Sequence, residues 1–305
     1  MHALALCRCH VDSGASRPVG RLLSRAWHSG SSVESLATVP AGQYFDVPDD
    51  ELVPEWQSRF FQDTRAGLAS GSRPPRPYGC VGLEAEWAWS RSRALLSRPC
   101  TQHLASELAD LAASARGQHV HLSGWTGSGK SVAMFAAVQW ARRAGWVALY
   151  VPSAQALVEG GSLSPCLLPD GAEQEEENWT EAQVRDPEGI SYDAPAGARL
   201  MLRALLQAHE QQLQGVVSPS GGASLAAVAK EGLAAGDDHA PVDAALDVKQ
   251  GLLQQSDLPV LLALDGYNHL YHRTTFGRAV HPWHRLALPP GALRLARGMR
   301  LLEGP

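Results

Sequence analysis

Gly124-Trp125-Thr126-Gly127-Ser128-Gly129-Lys130-Ser131 reads G-x-x-x-x-G-K-S, a spacing whose chemistry is the holding of phosphate. Glycines let successive backbone N–H groups turn inward and close on phosphate oxygens with no Cβ in the way. Lys130 would set a compact charge on the β- and γ-phosphates, and the Ser131 hydroxyl would sit on Mg²⁺. The candidate nucleotide-binding residues are therefore Gly124, Thr126, Gly127, Ser128, Gly129, Lys130 and Ser131. A second stretch, Pro259-Val260-Leu261-Leu262-Ala263-Leu264-Asp265, is an apolar run ending in a carboxylate. Asp265 is the companion such a loop needs, orienting Mg²⁺ directly or through water. Ser131 and Asp265 are the candidate metal residues.

The residue after Asp265 bears on what the site could do. Hydrolytic ATPases of the AAA+ type carry glutamate there, to polarise the attacking water. Here it is Gly266, followed by Tyr267-Asn268, so no general base stands nearby. Hydrolysis is expected to be slow, at or below roughly 10⁻⁴ per second, the scale of unassisted small GTPases. No catalytic residue is assigned. The guanine-reading N-K-x-D is absent, and Asp186-Pro187-Glu188-Gly189 matches D-x-x-G only as a turn, because no apolar strand precedes it.

The elements that must position these residues follow from local pattern. His119-Val120-His121-Leu122-Ser123 alternates like a short strand entering the loop. Val132, Phe135, Ala136 and Trp140 then recur at helical period, and Gly145 closes the helix. Strand, glycine loop and helix in that order bring phosphate to the positive end of a helix. Lys130 is one of only three lysines in a chain of 23 arginines, which suits a site where a planar guanidinium would not fit. Trp146–Val151 is a near-continuous apolar run stopped by Pro152, as in a parallel strand buried on both faces. Leu104, Leu108 and Leu111 predict a helix before the first strand. Asp193-Ala194-Pro195 starts another, continued by Leu202, Leu205, Leu206 and Leu213. Residues 158–190 read as loop, with a solvated acidic patch at Glu173, Glu175, Glu176 and Glu177.

Composition narrows the classes. The chain has 305 residues, 45% hydrophobic, with net charge −5, which supplies a core but no broad basic face for nucleic acid. Five cysteines without a C-x-x-C pair give no disulfide framework. Cys7-Arg8-Cys9-His10 lacks the second ligand pair of a zinc site, and the histidine pairs His119/His121, His269/His272 and His281/His284 make no coherent ligand set. No apolar run approaches the ~20 residues of a membrane span.

Residues 1–36 are basic, serine-rich and poor in acids, which reads as a mitochondrial transit peptide. Residues 37–92 form an extended arm, and residues 93–305 the nucleotide-binding domain. Within that domain, 215–241 is Gly/Ala/Ser-rich and expected to be a flexible insertion.

Several segments together resemble the death-associated protein 3 family, the P-loop protein of the mitochondrial ribosomal small subunit. They are Gly42-Gln43-Tyr44-Phe45-Asp46-Val47-Pro48, the loop Gly124–Ser131, and Gly145-Trp146 through Val151-Pro152-Ser153-Ala154. Tyr192-Asp193-Ala194-Pro195, Leu258 through Asn268, and Arg273-Thr274-Thr275 complete the set, in family order. The family also has Asp-Gly where AAA+ enzymes have Asp-Glu. The resemblance implies an AAA+-like P-loop NTPase fold, α/β with a three-layer parallel sheet. It also implies bound GTP or GDP with Mg²⁺, and contacts with ribosomal RNA and small-subunit proteins in the mitochondrial matrix. ATP and an active P-loop ATPase or signalling switch stay as the alternative. Only three convincing strands can be counted where such a core wants five, and the family continues through further strands. The domain is therefore expected to be C-terminally incomplete.

Overall fold

The apolar runs centred on Leu149 and Leu262 become paired neighbours in a sheet, the arrangement that hydrophobicity on both faces of a strand requires. The computed structural model describes residues 4–8, 40–47, 94–114, 118–125, 128–159, 162–167, 191–255, 258–272, 274–281 and 284–301. In chain order the elements are β1 (Leu4–Arg8), β2 (Tyr44–Asp46), β3 (Ala94–Leu96), α1 (Pro99–Ser114), β4 (Gln118–His121), α2 (Lys130–Arg143), β5 (Val147–Val151), β6 (Ser164–Leu167) and β7 (Ser191–Asp193). There follow α3 (Pro195–Gln214), α4 (Leu225–Ala234), α5 (Ala240–Leu253), β8 (Val260–Leu264), β9 (Gly277–His281), β10 (His284–Ala287) and α6 (Arg294–Gly298).

The main sheet has the order β4-β1-β8-β5. β5 and β8 pair in parallel, from Val147 opposite Val260 to Val151 opposite Leu264. β1 runs antiparallel to both β4 and β8, so β4, β8 and β5 all point the same way. The sheet is thus mixed, where a wholly parallel one was expected. The inserted strand carries the short apolar run Leu4-Ala5-Leu6-Cys7, within a segment that is otherwise basic and serine-rich. The remaining residues of 1–36 lie outside the described residues, as do 37–39 and 48–92 of the arm and the D-x-x-G at 186–189.

Alternation along the strands sends side chains to two cores, as a pleated backbone must. Val147, Leu149, Val151, Val260, Leu262 and Leu264 join the cluster formed with α3, α4, α5 and α6. Ala148, Tyr150, Leu261 and Ala263 face the other way, with Leu104 and Leu108 of α1 and Met134, Phe135 and Val138 of α2. Helices therefore cover both faces of the parallel pair, and the chain is an α/β protein. Small two-stranded sheets flank it: β2 with β3, β6 with β7, and β9 with β10.

The expected flexible insertion at 215–241 instead holds a helix, Leu225–Ala234, and the start of a second, between hydrogen-bonded turns. α4 spans Leu225–Ala234 with the Ser224 side chain accepting from the Ala227 N–H, and α5 begins at Ala240 with Pro241 in its first turn. Alanine, read as low complexity, is the best helix former, and Leu225, Ala226, Ala229 and Gly232 repeat at the spacing of one buried face. Gly232 lets the two helices cross closely: a Cβ there would lie 2.4 Å from that of Ala244.

Candidate functional site

Lys130 opens α2, and the residue before it, Gly129, is left-handed at φ 85° with no side chain capping the helix. The first-turn N–H groups of an α-helix have no intrahelical partner and carry partial positive charge. Gly124 also has positive φ, at 145°, and a Cβ there would approach Ser128 Oγ to 3.1 Å. Both turns need glycine for conformation and for room.

The Lys130 side chain folds into the loop and is 8% exposed. Its ammonium donates to the carbonyls of Gly124 (3.0 Å) and Trp125 (2.7 Å) and to Ser128 Oγ at 3.3 Å. All three of its protons are used, so the loop is drawn round a single buried cation. Ser131 stands half-buried in the first turn, and the Trp125 ring is 90% exposed. Thr126 and Gly127 lie outside the described residues.

Asp265 sits one residue past β8, buried, with its N–H on the Val151 carbonyl (2.9 Å) and its own carbonyl accepting from Ala154 N–H (2.7 Å). Leu4 faces both His121 and Leu264, so the ends of β4 and β8 are level and two strand spacings apart, about 10 Å. The sheet thereby carries the glycine loop and Asp265 to the same edge. Gly266 adopts φ 68° and starts the single-turn helix Tyr267–Leu270. A side chain at 266 would meet His269 Cδ2 at 3.2 Å, and left-handed backbone costs a residue with a Cβ about 1–2 kcal/mol. The turn itself selects against glutamate there.

Two clusters escaped sequence reading. Asp193, fully buried, accepts from Arg294 Nε at 2.9 Å and Nη2 at 2.8 Å, and pairs with His239 Nδ1 at 2.9 Å. Burial alone would raise its pKa. The hydrogen bonds from Arg294, Cys166 and His239 outweigh burial and hold it below the usual carboxylate value. Burial, then the neighbouring Asp193, pushes the Cys166 thiol up to about 12. Cys166, Asp193 and His239 place their ligand atoms within 4.8 Å of one another, a donor set that could suit a metal. The Arg294 fork already covers both carboxylate oxygens, however, and the thiol is held protonated. This is an ion-paired joint between β6, β7, the start of α5, and α6. Its partners stand up to 101 residues apart, and the one local cue was Asp193-Ala194-Pro195 at the start of a helix.

His209 is the other. It lies inside α3, where the backbone leaves helical values at φ −139°, and is 3% exposed. Its Nε2 accepts from the Ala148 N–H (3.1 Å) and Arg142 Nε (3.3 Å), while Nδ1 meets Gln212 Oε1 at 2.7 Å. That pattern requires the neutral ring protonated on Nδ1. The imidazole satisfies an N–H on the side of β5 turned away from β8, covering a sheet edge.

Fold and site together define an α/β protein in which a glycine loop, closed around one lysine at the head of a helix, shares a sheet edge with a strand-terminal aspartate. Residues 95–165, from β3 through the loop to β6, match the family model described as mitochondrial ribosomal death-associated protein 3. The likeness to that family is shown for this segment of the chain. No curated relative matches it. No helix among the described residues is long and apolar enough to cross a membrane.

Proposed function

We propose that the chain is a nucleotide-holding structural component of the mitochondrial small ribosomal subunit, in contact there with ribosomal RNA and neighbouring proteins. The observation that carries this reading is Lys130, an ammonium sunk among Gly124, Trp125 and Ser128 at the open start of α2. Lys130, exchanging its bonds to the Gly124 and Trp125 carbonyls for phosphate oxygens, and the backbone of Gly124, Thr126, Gly127, Ser128 and Gly129 would hold the phosphates. Ser131 and Asp265 would hold Mg²⁺, which supplies charge neutralisation between phosphate oxygens. The choice of GTP or GDP over ATP rests on the family resemblance alone.

Gly266 in its left-handed turn leaves the position beside Asp265 without a carboxylate. The site is suited to keeping a nucleotide rather than turning it over. A ligand that binds only the native state adds about 2.7 kcal/mol at one hundred times its Kd, enough to matter for assembly.

The test is extraction of nucleotide from purified protein, followed by a binding measurement on Lys130→Ala. Loss of a charge-assisted donor should weaken binding by roughly ten- to a hundredfold. Equal retention by wild type and variant would sink the assignment, and absence from sedimented mitochondrial small subunits would sink the assembly role.

A further inference from the structure

We infer that Arg98 is a second cationic ligand for the phosphates of the nucleotide, mounted on the rim of the loop that Lys130 closes from within. The inference rests on the nucleotide binding proposed above.

Arg98 is launched from a fixed corner. Ser97, at the end of β3, is 1% exposed. Its carbonyl accepts from Gly42 N–H and its N–H donates to the Gln43 carbonyl, both at 2.8 Å. The Arg98 carbonyl then accepts from the N–H groups of Thr101 (3.0 Å) and Gln102 (3.1 Å) in the first turn of α1. With its backbone pinned on both sides, the side chain reaches across to the glycine loop. Nη1 donates to the Ser128 carbonyl at 3.0 Å and lies 2.4 Å from where a Cβ of Gly129 would stand. Gly129 is thus required by its backbone angle, and its lack of a Cβ lets the guanidinium lie against it.

The two cations differ in what they have left to give. Lys130 is buried and spends its three protons on the loop. Arg98 is exposed, and its bond to the Ser128 carbonyl occupies one N–H of a planar fork that carries five. Holding one backbone carbonyl calls for a single neutral donor. A full charge in fork geometry is what recognises a phosphate oxygen pair. Among the described residues no carboxylate forms a salt bridge with Arg98, so none of those acids neutralises its charge beside the loop.

The experiment compares Arg98→Gln, Arg98→Lys and Lys130→Ala in the full chain, using equilibrium binding of fluorescent GDP and GTP and melting without nucleotide. Glutamine keeps a neutral donor for the Ser128 carbonyl and removes the charge. Arg98→Gln should weaken both nucleotides roughly tenfold or more, Arg98→Lys should recover part of the loss, and the nucleotide-free melting temperature should stay at the wild-type value. Wild-type affinity in Arg98→Gln, alongside loss in Lys130→Ala, would overturn the inference while leaving nucleotide binding intact, and would free Arg98 for a role such as contacting ribosomal RNA. A lowered melting temperature with unchanged affinity would reduce Arg98 to a clamp on the loop. Failure of the wild type to bind either nucleotide would remove both readings together.

Discussion

Replacing His209 with glutamine should remove a pH dependence that the wild type shows between pH 7 and pH 5. His209 is held neutral in the fold: burial first, and the Arg142 charge second, lower its pKa from 6.5 to about 4. In the unfolded chain it titrates near 6.5. Above that value neither state carries the proton and the fold keeps its full stability. As the pH falls from 6.5 towards 4, the unfolded state takes up a proton that the native ring refuses, so stability declines. Linkage gives a loss of about 2 kcal/mol at pH 5 and about 3 kcal/mol near pH 4, below which the contribution levels off. The assay is urea unfolding of wild type and His209→Gln at pH 7.5 and pH 5. Carboxylates titrate in both proteins, and the difference between them isolates the ring. Glutamine can still accept from the Ala148 N–H, so the variant should lose only about 1 kcal/mol at pH 7.5 and lie closer to, or above, wild type at pH 5. Identical pH slopes for the two proteins would refute the neutral buried acceptor.

Two further outcomes test packing. Arg294→Ala should destabilise the fold by about 3–5 kcal/mol, because it strands the fully buried Asp193 carboxylate; Arg294→Ala combined with Asp193→Asn should recover part of that in the same denaturation assay. Gly232→Ala would ordinarily favour a helix by close to 1 kcal/mol. Here its methyl meets the Ala244 Cβ at 2.4 Å, so a net loss of about 1 kcal/mol or more is expected, and a raised melting temperature would show that α4 and α5 do not cross as described.

Some of this protein could be read directly along the chain. β5 and β8 were legible because a short, continuous apolar run admits few other fates. The loop and α2 were legible because glycine spacing, a lone lysine and a helical period are signals carried by neighbouring residues. Pro195 at the head of α3 and left-handed Gly145 after α2 mark helix ends for equally local reasons. Composition misled where it stood in for pattern: alanine between 215 and 241 builds α4 and the start of α5, and a basic amino-terminal segment lends Leu4–Arg8 to the interior of the sheet.

The remainder belongs to the tertiary structure. That β1 lies between β4 and β8, that Arg294 reaches Asp193, that His209 answers the N–H of Ala148, and that Arg98 lies against Gly129 all join segments distant in sequence. Each is fixed by which surfaces the packed helices and strands bring together. A buried charge or an unpaired strand N–H must find a partner, but its own neighbours in the chain do not say which, because the requirement is met across space once the core has formed.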